Sequence, residues 1–546
     1  MSDLEKDNSP TSRTVTAENA PQAVQTVPQD HSYIGGWRFI VILVLLLVCL
    51  FIVQMDSSIT STAIVTISDD LGQYDKSPWV LSAYMLTYGA LQILWAKLSD
   101  TYTRKTTFLI ALAFFTGFSG ACAASNTMVQ LIIFRACQGI GGCGVYALVQ
   151  VIFFEILPPK DWPKYAGLFT GAIALSYILG PLVGGAISLQ GAWRWIFLLN
   201  VPICVVALVG TTFVFPRTLW TEPSAAEGRN PNPVARSVWH LDILGSILLL
   251  GTCLLPSTGF QQAALGYRWT SSAVLPFLLC SLPFAIGFLM WERFLTLKRE
   301  YPVPVLPWRV FQSRQWLGML LNTMFSGAIL TIGLFQIPQR FMNTNGLSAF
   351  DAAVRLLPFG TFVPGGSFLV AILTGRVKMR PSILILTGAI LQLIGSALLS
   401  HIPSDTSIHP SQYGFHILIG TGIGLVQTSL LLLVPYVVNK ADLAVGTSSM
   451  SQFRILGGLF GVGIATSIST LYLKRHLPGV LPANAVSDIL DKTENLQHLT
   501  QSIRERAQVI FAESYRLQIF IAIGLAAAQI PATLLMWTNQ KIGVEG

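Results

Sequence analysis

From Arg38 onward the chain repeats one pattern, an apolar run of roughly 20 residues, a short polar loop, and another run. Wound as an α-helix at about 1.5 Å per residue, such a run crosses a hydrocarbon core of about 30 Å. The runs fall near 38–62, 79–98, 106–125, 128–151, 165–188, 195–215, 241–260, 272–292, 316–337, 354–374, 382–400, 412–438, 447–472 and 515–537. The pattern predicts an all-α integral membrane protein of about fourteen transmembrane helices. Residues 1–36 break it. They are polar and rich in Ser, Thr, Pro and Gln, and read as a disordered cytoplasmic tail without a cleavable signal.

Composition removes the soluble alternative. Of 546 residues, 52% are hydrophobic and 11% charged, against about 25% charged in a soluble domain. The net charge of +8 comes from basic residues scattered through short loops, with no compact basic face, so nucleic acid is not an expected partner. All seven cysteines sit in apolar segments, and no CxxC pair or zinc spacing occurs. Neither a metal nor a cofactor is expected.

Lys and Arg set the orientation. With the N-terminus inside, short inner loops hold about seventeen and short outer loops about four, so both termini are expected in the cytoplasm. A polar linker over 216–240 and a basic one over 293–314 flank two helices with few polar groups. The expected organisation is a six-helix bundle over 37–215, linkers and two inserted helices over 216–314, and a second six-helix bundle over 315–546. The loop from Lys97 to Lys105 has a weak counterpart from Gly375 to Arg380. Paired halves of this kind place a substrate site between them at mid-membrane.

Charge inside a membrane needs a partner or a use. Asp56 lies roughly 25 Å from the inner end of the first helix, and Arg135 roughly 13 Å from the outer end of the fourth. They reach similar depth. They form either a proton-coupling pair or a permanent tie between helices. Arg454 is a tether, an anion contact, or a side chain reaching back to the interface. Arg355 is expected to pair with Asp351 one turn earlier. Glu155, Asp242 and Glu292 are expected in solvent at helix ends. Gly180, Pro181, Gly184 and Gly185 mark a helix with a kink and a close neighbour, and glycines at 420–424 and 457–463 repeat the theme. Cavity candidates are Gln54, Tyr84, Tyr88, Gln92, Tyr146, Tyr177, Asn322, Gln336, Gln427, Gln452 and Arg454. That set suits an amphipathic organic molecule.

These residues fall into ordered motifs. Met55-Asp56-Ser57-Ser58, the loop with Asp100, Arg104 and Lys105, the run Arg135-Ala-Cys-Gln138-Gly139-Ile-Gly141-Gly142, Gly180-Pro181 with Gly184-Gly185, and Trp193-Arg194-Trp195 through Asn200-Val-Pro202 follow one another on successive helices. In this order the chain resembles the major facilitator superfamily, in particular its fourteen-helix drug:proton antiporters and, within them, fungal efflux pumps for toxins and secondary metabolites. The resemblance covers roughly 38–540. It implies proton-coupled export by alternating access from a monomer in the plasma membrane, with a vacuolar or vesicular membrane as the other address. Its partners would be a small-molecule substrate, protons and the bilayer. It further implies proton coupling by Asp56 and Arg135, a cytoplasmic gating loop of Asp100, Arg104 and Lys105, and an antiporter helix motif at Gly180, Pro181, Gly184 and Gly185. Ala96 and Thr103 stand where the gating pattern has glycine, and the second-half loop lacks the acid. The rival readings are a proton-coupled importer of an iron–siderophore chelate and a membrane enzyme or sensor. The seven dispersed histidines argue against the enzyme.

Overall fold

The computed structural model describes residues 36–72, 76–158, 161–188, 191–215, 242–298, 302–438, 442–481 and 500–537. The tail expected over 1–35 and the linker over 216–240 lie outside these residues.

The first half is built from α1 (Trp37–Leu71), α2 (Pro78–Ala90), α3 (Gln92–Thr101), α4 (Arg104–Ala123), α5 (Met128–Ile156), α6 (Trp162–Ser188), α7 (Arg194–Leu198) and α8 (Asn200–Val214). Two helices follow, α9 (Ile243–Ala264) and α10 (Leu275–Lys298). The rest comprises α11 (Trp308–Gln312), α12 (Arg314–Asn343), α13 (Ala349–Arg355), α14 (Leu357–Gly375), α15 (Pro381–Ser400), α16 (Ser411–Val437), α17 (Leu443–His476) and α18 (Gln501–Leu535). Among the described residues, thirteen spans are long and apolar enough to cross a membrane. They coincide with thirteen of the fourteen expected runs. By the loop charges, the end at which α1 starts is expected to be the inner one.

The remaining run, 79–98, is a broken helix. Leu91 leaves helical geometry at φ −104° and ψ 0°, separating α2 from α3. A break frees backbone donors that hydrocarbon cannot satisfy. Here the amide of Ile93 donates to Gln452 Oε1 of α17 at 3.1 Å. Gln452 Nε2 donates in turn to Cys253 Sγ of α9 at 3.3 Å. One side chain thus joins the first half, the second half and the inserted helix.

Each half packs mainly on itself, α1 against α6 and α4 against α5, then α12 against α17 and α14 and α15 against α16. The seam between halves is carried chiefly by α3 with α17 and by α6 with α14. Helix α9 lies against both α2 and α17, so Leu249 and Cys253 share one apolar cluster with Ile93, Met450 and Leu456. Helix α10 leaves Leu279, Leu282, Ile286 and Met290 exposed, as a lipid-facing helix does.

The outer end differs from expectation. Helices were expected over 447–472 and 515–537, whereas α17 runs to His476 and α18 starts at Gln501. The added turns bury their own apolar faces, with Leu473 and Leu477 against Ala507 and Phe511. The polar residues of this stretch hide the helical spacing of those four.

Close backbone approach explains the glycines of α16. A Cβ on Gly424 would collide with the Val363 carbonyl oxygen and stand 2.8 Å from the Ser367 amide nitrogen, both on α14. A Cβ on Gly185 would meet nothing within 4 Å. Gly424→Ala should therefore lower stability by about 1–3 kcal/mol, the usual cost of overpacking. Gly185→Ala should leave it unchanged or slightly raised, both read as thermal midpoints in detergent.

Candidate functional site

The buried centre starts from α1. Gln54 and Asp56 are two residues apart, so they leave the helix on opposite sides. Asp56 turns to α5 and α8 and is fully buried. Its Oδ2 accepts from Arg135 Nη1 at 2.5 Å. Its Oδ1 accepts from Gln138 Nε2 at 3.0 Å and Asn200 Nδ2 at 2.7 Å. Arg135 and Gln138 lie one turn apart on α5, and Arg135 Nη1 also donates to Gln138 Oε1 at 2.7 Å. Gln138 Nε2 reaches Ser119 Oγ of α4 at 2.8 Å, and Arg135 Nε reaches the Val80 carbonyl at 3.2 Å. The guanidinium stands 4.1 Å from the Tyr84 ring centre and 5.4 Å from that of Phe197. Arg135 Nη2 and Asn200 Oδ1 have no hydrogen-bond partner among the described residues. A proton on Asp56 would cancel the charge that all these donors are arranged around.

From this pair a row of phenols leads to the seam. Tyr84 and Tyr88 lie 5.5 Å apart with an interplanar angle of 18°, and Tyr88 and Tyr146 lie 6.0 Å apart. Tyr88 donates to Gln54 Oε1, and Gln54 Nε2 donates to the Tyr177 hydroxyl at 3.0 Å. Arg454 Nη2 of the second half donates to the Tyr146 hydroxyl at 2.8 Å. Ser451 donates to Gln150 Oε1 across the same seam. Beside them a pocket is lined by Thr170, Ile173, Tyr177, Leu330, Phe359 and Gln427 among others.

Several candidates thus come together, namely Asp56, Arg135, Gln54, Tyr84, Tyr88, Tyr146, Tyr177, Arg454 and, by way of the pocket, Gln427. Arg454 does not reach back to an interface; it spans the seam. Others serve elsewhere. Gln452 is the latch on the broken helix, and Gln92 Nε2 bonds the Tyr88 carbonyl at 3.4 Å. Gln336 bonds Thr466 at 3.2 Å, within the second half. Asn322 accepts from Thr533 at 3.2 Å and donates to the Gly318 carbonyl at 3.0 Å.

At the inner end Arg104 gathers Asp100 at 2.7 Å, Glu155 at 2.9 Å and Ser99 Oγ at 2.6 Å. Lys105 points away and donates to the Thr212 carbonyl of α8 at 2.5 Å. Glu155 is exposed, as expected, and also joins the loop's ion cluster. Asp242 and Glu292, by contrast, are buried rather than in solvent. Asp242 caps α9 by accepting from the Gly245 amide and from Trp291 Nε1, each at 2.8 Å. Glu292 accepts from the Val305 amide at 3.2 Å. Arg355 turns from Asp351 to the Tyr413 hydroxyl at 2.6 Å, while Ser348 donates to Asp351 at 2.7 Å. In these cases a tertiary partner, invisible in local spacing, outcompetes the solvent or the neighbouring turn.

In α6, Pro181 lies within the helix, Gly184 is buried and Gly185 partly so. A Cβ on Gly180 would collide with Ser58 of α1, its Cβ 2.9 Å away. Ser58 bonds the Ser176 carbonyl at 3.1 Å, which fixes α6 one short step past Asp56. Sequence reasoning missed Asn200 and Ser119 as contributors to the Asp56 network. Asn200 stood inside a recognised motif, and a polar side chain at the start of an apolar run was its signal. Ser119 gave none.

A two-halved helical bundle with a buried ion pair linked to a pocket at the seam is the build of a membrane transporter. The chain belongs to the Major Facilitator Superfamily, whose family model matches residues 46–462. It is 33% identical over 96% of its length to the MFS-type transporter FPY5 of Fusarium mangiferae, covering 87% of that protein. It is 26% identical over 94% of its length to the rubrofusarin-specific efflux pump aurT of Gibberella zeae, covering 92% of it. The structure of the human organic anion transporter MFSD10 has the same fold, with a TM-score of 0.53 and 15% identity over 89% of this chain and 100% of that one. The protein is a multi-pass membrane transporter and not an enzyme.

Removing one partner of a buried ion pair leaves an uncompensated charge, at a cost of about 3–5 kcal/mol. Arg135→Gln should lower the thermal midpoint of the purified protein strongly. Adding Asp56→Asn to it should restore most of the loss, a coupling read from the double-mutant cycle.

Proposed function

We propose that the protein exports a small amphipathic organic compound, of the kind fungi make as secondary metabolites and toxins, in exchange for protons. The observation that carries this reading is the Asp56–Arg135 pair, fully buried and joined by ring contacts and hydrogen bonds to the seam where the halves meet. The efflux role named for the rubrofusarin-specific relative supports the direction.

The chemistry follows from the contacts. With Asp56 ionised, Arg135 is neutralised and α1, α5 and α8 are drawn together. Protonation leaves Arg135 without its counter-charge, so its donors seek other acceptors and the helices gain a second arrangement. Tyr84 feels the change directly, since it lies against the guanidinium, and passes it through Tyr88 to Tyr146 and Arg454. Alternating access then takes the form of one half, 37–215, rocking against the other, 315–546, with 216–314 carrying the inserted pair. Gly180 lets α6 stay close to α1 during that motion. The Arg104 cluster with Asp100 and Glu155, and the Gln452 latch between α3 and α17, close the inner end. The plasma membrane is the address this direction favours, and a monomer is sufficient.

The test is uptake of amphipathic fluorescent compounds into inverted membrane vesicles under an imposed proton gradient. Wild type should accumulate at least one compound in a gradient-dependent way. Asp56→Asn, at equal expression, should fall to the level of vesicles lacking the protein. Accumulation that survives Asp56→Asn would place proton exchange at another group, and accumulation only in right-side-out vesicles would reverse the direction.

A further inference from the structure

The two buried arginines of the first half have acids, Arg135 with Asp56 and Arg104 with Asp100 and Glu155. Arg454 does not. It is 9% exposed, and among the described residues no carboxylate stands within ion-pair distance of it. Its guanidinium donates to the Tyr146 hydroxyl at 2.8 Å and lies 5.4 Å from the centre of that ring. Neutral phenols accept hydrogen bonds but return no charge, so the cation is buried without compensation. The adjoining pocket has no charged residue in its lining, and it shares Tyr177 with the arginine's surroundings. In that lining, the buried Nε2 of Gln427 is a donor without a partner among the described residues. Asp56 is fully buried and already ion-paired with Arg135, so its charge is compensated before any cationic ligand arrives.

We propose that Arg454 and Tyr146, with Gln427 in the lining of the neighbouring pocket, form an anion-recognising subsite, and that the substrates are largely apolar ring compounds carrying one ionised acidic oxygen. This names a substrate class for the transport reading given above and rests on it for biological use, though binding can be tested without it. The apolar body fills the pocket between α6, α12 and α14. The acidic oxygen replaces the counter-charge that the protein leaves out, and the fork of donors on Arg454 fits a carboxylate or an enolate better than a neutral carbonyl.

The experiment measures dissociation constants of 1-naphthoate and 9-anthracenecarboxylate, each against its methyl ester, on the purified full-length protein by tryptophan fluorescence. Wild type should bind each acid about tenfold or more tightly than its ester. Arg454→Gln should bring the ratio to about one. Arg454→Lys, which keeps the charge and loses the fork, should retain a reduced preference and decides the point if Arg454→Gln does not fold. Equal binding of acid and ester by wild type, including none of either, overturns the proposal. So does a preference untouched by both substitutions. Vesicle transport is read separately. Acid preference without accumulation would sink the efflux reading and leave the subsite standing. Accumulation of compounds regardless of charge, without a binding preference, would do the reverse.

Discussion

A carboxylate and a guanidinium buried together at membrane depth constrain everything around them. Neither can be left alone in hydrocarbon, so Asp56 and Arg135 draw α1, α2, α4, α5 and α8 to one point. The neutral amides of Gln138 and Asn200 complete the carboxylate's shell, and the Tyr84 ring covers the guanidinium. A buried pair of this kind adds little to stability by itself, since desolvation offsets much of the attraction. What it supplies is a charge state on which the packing of several helices depends.

The rest of the site transmits that state by contact. A row of phenol rings in contact runs from the arginine to the seam, and Arg454 meets it from the other half. Polar bridges also cross the seam. Ser451 with Gln150, and Thr428 with Thr170 at 3.4 Å, cross it through hydroxyl groups. Such weak, few-atom bridges can be exchanged at small cost, unlike the interdigitated glycine-lined contacts within each half. The break at Leu91 adds a further exchangeable bond, because an amide freed from its helix is held by one glutamine.

Much was legible before any coordinates. Thirteen of the fourteen expected spans, the paired halves and the membrane class followed from run length and loop charge, because the bilayer imposes one length on every crossing helix and satisfies no backbone group outside one. Asp56, Arg135 and Arg454 stood out by the cost of their charges alone. The helical extension from Gln501 to Ser514 did not stand out, since Ala507 and Phe511, which pack on Leu473 and Leu477, are diluted by polar residues.

Tertiary structure decided which polar side chains meet. Gln54, Gln336 and Gln452 look alike along their helices, yet one joins the phenols, one ties α12 to α17 and one holds a broken helix. Glu155 gained Arg104, Glu292 gained a backbone amide, and Arg355 left Asp351 for Tyr413. The sequence alone determined that these groups lie in or near hydrocarbon and need partners, because hydropathy is a property of local runs. Which partner each takes depends on helix rotation and on glycine-set distances between helices far apart in the chain, and only the packed bundle fixes those.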